Sequence, residues 1–164
     1  MTRLMAVVLV LAMSMAAASQ TTKYGVTALA EKNVDFGAKR TYTWRKAQPS
    51  PDKAIDAQIV AAVDRELAAL GMSKPESGPA DVLVSYASLT RTDVNLKGKE
   101  DANGLLPEYR VGTLVVAMYD PPTNRRLLRL RADLPIDVPR SEIGGAIDKA
   151  VAMMFAEYPT RKKK

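Results

Sequence analysis

The stretch Tyr109-Arg110-Val111-Gly112-Thr113-Leu114-Val115-Val116-Ala117-Met118-Tyr119 constrains what this chain can fold into more than any other. Read with the period of two of a β-strand, one face carries Val111, Thr113, Val115, Ala117 and Tyr119, and the other carries Gly112, Leu114, Val116 and Met118. Both faces are largely apolar. A strand of that kind belongs in the middle of a sheet with something packed over each side, so the remaining segments are judged by whether they can pack here.

Several can. Tyr24 to Leu29 is short and β-tolerant, Thr41 and Thr43 alternate with Tyr42 and Trp44, and Asp81 to Leu89 reads as a further strand. After the turn Pro121-Pro122-Thr123-Asn124, residues Leu128, Leu130, Ala132 and Leu134 alternate with Leu127, Arg129, Arg131 and Asp133, which predicts one buried and one wet face. Trp44 is expected at the rim of the core with its N–H bonded to backbone or water. Ile55, Ile59, Val63 and Leu67 recur at helical spacing, with Ser50 or Asp52 as N-cap, Asp56, Asp64, Arg65 and Glu66 off the apolar stripe, and Gly71 as terminator. Ile143, Ile147, Val151, Met154 and Tyr158 predict a last helix over about Arg140 to Tyr158, closed by Pro159. Its Gly144-Gly145 pair weakens the first turn or permits a close approach to the sheet, and it lacks the spacing of a dinucleotide loop. Thr90 to Pro107, without a useful period, reads as a long mobile loop of a length that often carries function. The predicted architecture is an α+β two-layer sandwich, a mainly antiparallel sheet of about five strands with two helices on one face, in the order strand, strand, helix, strand, long loop, hairpin, helix. The other face must then be covered by the N-terminal segment, a ligand or a second molecule.

A chain of 164 residues is normally one domain. It begins with Arg3, an apolar run from Leu4 to about Met15, and Ala16-Ala17-Ala18-Ser19, the layout of a secretory signal peptide cleaved after Ala18 or Ser19. The run is shorter than the roughly 20 residues a membrane span needs. The expected division is a signal peptide over 1–18, one α+β envelope domain over 19–159 and a basic tail over 160–164. With no cysteine near the cleavage point, the exported mature protein is expected to be soluble rather than acylated.

The chemical inventory is thin. There are no cysteines and no histidines, which removes disulfides, thiol nucleophiles, Cys/His zinc sites and the usual general base near neutral pH. Ser85 and Ser88 therefore lack a histidine to activate them, and the acidic residues show no calcium-loop spacing. No catalytic, cofactor-binding or metal-ligating residue is assigned, no cofactor is expected, and the chain is read as non-catalytic. The net charge of +6 falls to +1, 19 basic against 18 acidic residues, once Arg3 and Arg161, Lys162, Lys163 and Lys164 are set aside. Within the domain the one basic cluster is Arg125, Arg126, Arg129 and Arg131, read as a solvated strand face opposite Asp or Glu neighbours. The leading function is a binding or structural module that associates with itself or with an envelope protein. The alternatives are an electrostatic binder that touches an anionic membrane surface through the tail, and a hydrolase whose carboxylates are assembled by folding; nucleic acid is not expected as a partner of an exported protein.

Local strings carry a resemblance. Val34-Asp35-Phe36 followed by Thr41-Tyr42-Thr43-Trp44, Glu66-Leu67-Ala68-Ala69-Leu70-Gly71, Pro79 to Tyr86, Gly112-Thr113-Leu114-Val115-Val116 and Phe155-Ala156-Glu157-Tyr158-Pro159, in that order, resemble a bacterial cell-envelope family catalogued as domain of unknown function 4136. The resemblance spans about Tyr24 to Pro159. It implies an α+β envelope domain of small exported lipoprotein type with a periplasmic or outer-membrane-associated address, and supplies no activity or catalytic residues. This chain departs from it in lacking a cysteine after the leader, and in having Leu128 and Arg129 where an aromatic residue is usual.

Overall fold

In the computed structural model, which describes residues 25–45 and 48–161, the elements run β1 (Gly25–Ala30), β2 (Tyr42–Trp44), α1 (Lys53–Ala69), β3 (Val82–Val94), β4 (Glu108–Tyr119), β5 (Arg126–Pro135) and α2 (Ile143–Ala156), the last preceded by a 3-10 turn over Arg140–Glu142. The predicted leader, and Lys162 to Lys164 of the tail, lie outside the described residues. The sheet order is β1-β5-β4-β3-β2, so the 109–119 stretch does occupy the centre. Every pairing is antiparallel except β2 with β3, which is parallel. The architecture is the expected α+β sandwich, with a mixed rather than purely antiparallel sheet.

The period of two decides which residues meet the helices. Val82, Val84 and Tyr86 of β3, Leu114, Val116 and Met118 of β4, and Leu128, Leu130 and Ala132 of β5 form one face. Against it lie Ile59, Val63 and Leu67 from α1 and Val151, Met154 and Phe155 from α2, all at most 2% exposed. Each such aliphatic side chain contributes about 2 kcal/mol through removal from water. Asp52, rather than Ser50, caps α1, accepting from the Ala54 and Ile55 N–H groups at 2.9 and 3.3 Å, and Gly71 follows the helix at φ 77°.

Four expectations are corrected. Thr90 to Val94 are not loop: they pair residue by residue with Gly112 to Glu108, so β3 and β4 form a long two-stranded arm. The connector shrinks to 95–107 and is built from tight turns, with Asp101 Oδ1 accepting from the Asn103 and Leu105 N–H groups at 2.8 and 2.9 Å. Leu127 is only 3% exposed and joins the core, because the β4–β5 register shifts between Met118 and Tyr119 and breaks the alternation there. Gly144 serves helix–helix rather than helix–sheet contact, since a Cβ on it would lie 2.2 Å from Gln58 Nε2 of α1. The N-terminal strand does not cover the second face of the sheet; it adds to the edge beside β5.

Candidate functional site

The second face of the sheet has no helix or strand over it among the described residues. The pairing registers lay it out in rows: Gly25, Asp133, Thr113 and Leu89; Thr27, Arg131, Val115 and Ala87; Leu29, Arg129, Ala117 and Ser85. Ser85 and Ala117 are small and shielded by longer neighbours, being 7% and 5% exposed. What the face offers to solvent is Leu29 and Leu89, 59% and 54% exposed, around an array of charge.

That array gathers residues distant in sequence. Arg91 NH1 donates to Thr113 Oγ1 at 3.0 Å and to Asp133 Oδ1 at 2.9 Å, while its Nε donates to Asp93 Oδ1 at 2.9 Å. Thr113 Oγ1 donates to Asp133 Oδ1 at 2.6 Å, and Arg131 Nε donates to Asp133 Oδ2 at 2.7 Å. Burial pushes the Asp133 carboxyl up, but donors from Arg131, Thr113 and Arg91 outweigh it and hold the group down at about 2. The network ties Thr113 and two arginines to one carboxylate across three strands. Its charges cancel. Arg131 meets the acidic neighbour expected of the basic cluster; Arg125, Arg126 and Arg129 form no ion pair among the described residues.

A second set of polar contacts ties the sheet to α1. Asp64 Oδ1 accepts from Tyr42 OH at 2.7 Å and from Trp44 Nε1 at 2.9 Å, and Oδ2 accepts from Lys74 Nζ at 2.9 Å. Trp44 is thus held by a side-chain carboxylate, not by backbone or water. Burial raises Asp64, but the Lys74 ammonium and the two aromatic donors lower it further, below the usual carboxylate range. Tyr86 OH donates to Asp56 and accepts from the Ser50 N–H, and its ring meets Trp44 edge-on at 6.2 Å. Burial pushes Tyr86 up to about 12. Asp56 and Asp64, which the helical stripe leaves on the polar side, are therefore clamps; their spacing of two turns on α1 was the only available hint.

Two cavities flank the body. One of about 500 Å³ opens beside β2 between Trp44, Lys74, Pro79 and Pro121. The other, about 230 Å³, lies between Phe36, Lys39, Arg40 and Tyr158. The Tyr158 hydroxyl is buried without a hydrogen-bond partner, and burial raises it to about 12. The 95–107 connector displays Leu96 and Leu105, 81% and 64% exposed. No group of three or more acidic residues able to hold a metal ion occurs among the described residues, and none of their helices is long and apolar enough to cross a membrane. Arg161, the first cation of the tail, is engaged with Glu66 of α1 at 2.6 Å.

Fold and surface together define a two-layer α+β module with one sheet face clothed by helices and the other left open among the described residues. The chain belongs to the DUF4136 family of domains of unknown function, whose model matches residues 26–160. No match appears among curated proteins. Among solved structures, it is similar to a PDZ domain protein from Parabacteroides distasonis ATCC 8503, at 14% identity and a TM-score of 0.59, over 84% of this chain and 36% of that one. The chain therefore spans about a third of that protein's length. It is also similar to the PelC dodecamer from Paraburkholderia phytofirmans, at 10% identity and a TM-score of 0.55, over 85% of this chain and 98% of that one. A variant of the same dodecamer matches at 12% identity and a TM-score of 0.53, over 80% and 95%. At these identities the likeness is one of fold.

Proposed function

We propose that this protein is an exported, non-catalytic module of the cell envelope that works by association, with itself or with an envelope protein, and that the open sheet face and the sheet edge bordering it are its working surface. The observation that carries this reading is the face itself, an ordered charge array flanked by exposed Leu29 and Leu89 with no second layer on it among the described residues. An antiparallel sheet can leave one face solvated, and the exposed leucines beside ordered charge suit this one to meeting a partner. Three further points support it: the export leader in the sequence, the absence of histidine and cysteine from the chemical inventory, and the dodecameric state of PelC, a protein of similar fold. The membrane-tail alternative is weakened by the Arg161–Glu66 pair, which occupies one of the four terminal cations.

Site-specific photo-crosslinking in envelope preparations tests the proposal. A cross-linker at position 89 is expected to capture a discrete product, and one at Ala68, on the exposed side of α1, is not. Equal or absent labelling from both positions would overturn the role assigned to the open face.

A further inference from the structure

The two edges of the sheet are finished differently. At β2 the strand is only three residues long, and the chain leaving α1 returns to bond it: Tyr42 N–H donates to Ser73 O at 3.0 Å and Ser73 N–H donates to Arg40 O at 2.9 Å. At the opposite edge nothing comparable protects β1 among the described residues. Its residues Gly25-Val26-Thr27-Ala28-Leu29-Ala30 include no charge and no proline, and they pair with β5 in unbroken register. Glu31 N–H donates to Leu127 O at 2.8 Å, continuing that register. Because antiparallel pairs alternate, the odd-numbered residues of β1 bond to β5, and the N–H and C=O groups of Val26, Ala28 and Ala30 point away from the sheet. Natural edges are usually blunted by charge, proline, bulges or shortness. This one carries none of those devices. It is flanked on the open face by Leu29, 59% exposed.

We infer that a second copy of this chain adds at this edge, β1 against β1 in antiparallel register about a two-fold axis at Ala28. The inference rests on the self-association proposed above and names its geometry. In that register Ala28 faces its own counterpart, Val26 faces Ala30 and Thr27 faces Leu29. An uncharged strand brings no like charges opposite one another, so self-pairing meets no electrostatic penalty. The bonded β2 edge disfavours head-to-tail growth of β1 onto β2, which leaves the closed, isologous pair. The axis is perpendicular to the sheet, so both open faces emerge on the same side and stay available to a further partner. A strand pairing of six residues with few flanking side chains lies below the roughly 1,200 Å² of standard interfaces, so the dimer is weak and concentration-dependent.

Sedimentation velocity over a concentration series, on the full mature chain and three variants, tests this. Ala28→Pro removes an outward N–H without touching the ladder to β5, and Thr27→Lys puts a cation on an exposed position facing Leu29 of the second copy. Ala68→Lys, on the exposed side of α1, is the control, and circular dichroism establishes that each variant is folded. The wild type and Ala68→Lys are expected to dimerise as concentration rises, with Ala28→Pro and Thr27→Lys at least about tenfold weaker. If Ala28→Pro does not fold, Thr27→Lys decides alone. Dimers indifferent to the β1 substitutions would overturn the edge assignment and leave self-association standing; a wild type monomeric at every concentration would overturn both.

Discussion

Asp133 accepts hydrogen bonds from three side chains, Arg91, Thr113 and Arg131, and it reaches them across two neighbouring strands and along its own. Its carboxyl titrates near 2 in the folded chain against a usual 3.8, so the unfolded chain takes up the proton first on acidification. The stabilisation is therefore fully present above about pH 4 and is lost as the pH falls towards 2; its size is about 2 kcal/mol, for a side chain 11% exposed. Asp133→Asn is expected to lower stability at neutral pH by about that amount, with the gap to the wild type closing in acid. Urea unfolding at a series of pH values checks it, and a gap independent of pH would show that the carboxylate is not what the network uses. Sequence reading placed Arg131 beside an acid but could not see this centre. Arg91 and Asp133 are separated by 42 positions, and only the β3–β4–β5 register brings them together.

At the scale of elements, β2 is the least self-sufficient: three residues, parallel to β3 and at an edge. Asp64 on α1 compensates by accepting from both Tyr42 and Trp44. Asp64→Ala would leave a phenol and an indole N–H without their acceptor, at a cost of about 2 kcal/mol. The expected readout is a red-shifted Trp44 emission and readier quenching by acrylamide, while the helical circular dichroism at low temperature is unchanged; unaltered emission would show that the clamp does not hold the strand. The helices themselves were legible, because Ile59, Val63 and Leu67 repeat at the period of the face they bury. The far half of β3 was not. Thr90 to Val94 carry no apolar alternation, because the half-buried positions are Arg91 and Asp93 of the charge array, and their strand state shows only in the pairing with Gly112 to Glu108.

The whole molecule depends on one core shared by both layers, into which β1 to β5, α1 and α2 all place side chains. Such a body should unfold in a single step. Far-ultraviolet circular dichroism and Trp44 fluorescence are expected to give coincident urea transitions in the wild type, and separated transitions would show that the β2 edge melts independently. The open face and the bare β1 edge are likewise properties of the assembled body, because Leu29 and Thr27 acquire their significance from what, among the described residues, does not pack beside them.

By itself the sequence determined the class of fold, the central place of Tyr109 to Tyr119 and the buried faces of both helices, since periodic burial is written locally in the order of apolar residues. Only the tertiary structure decided which edge of the sheet is closed, which acids clamp the aromatics and which charges meet on the open face. Those contacts join strands and helices through register and hydrogen-bond geometry, and neither leaves a period in the chain.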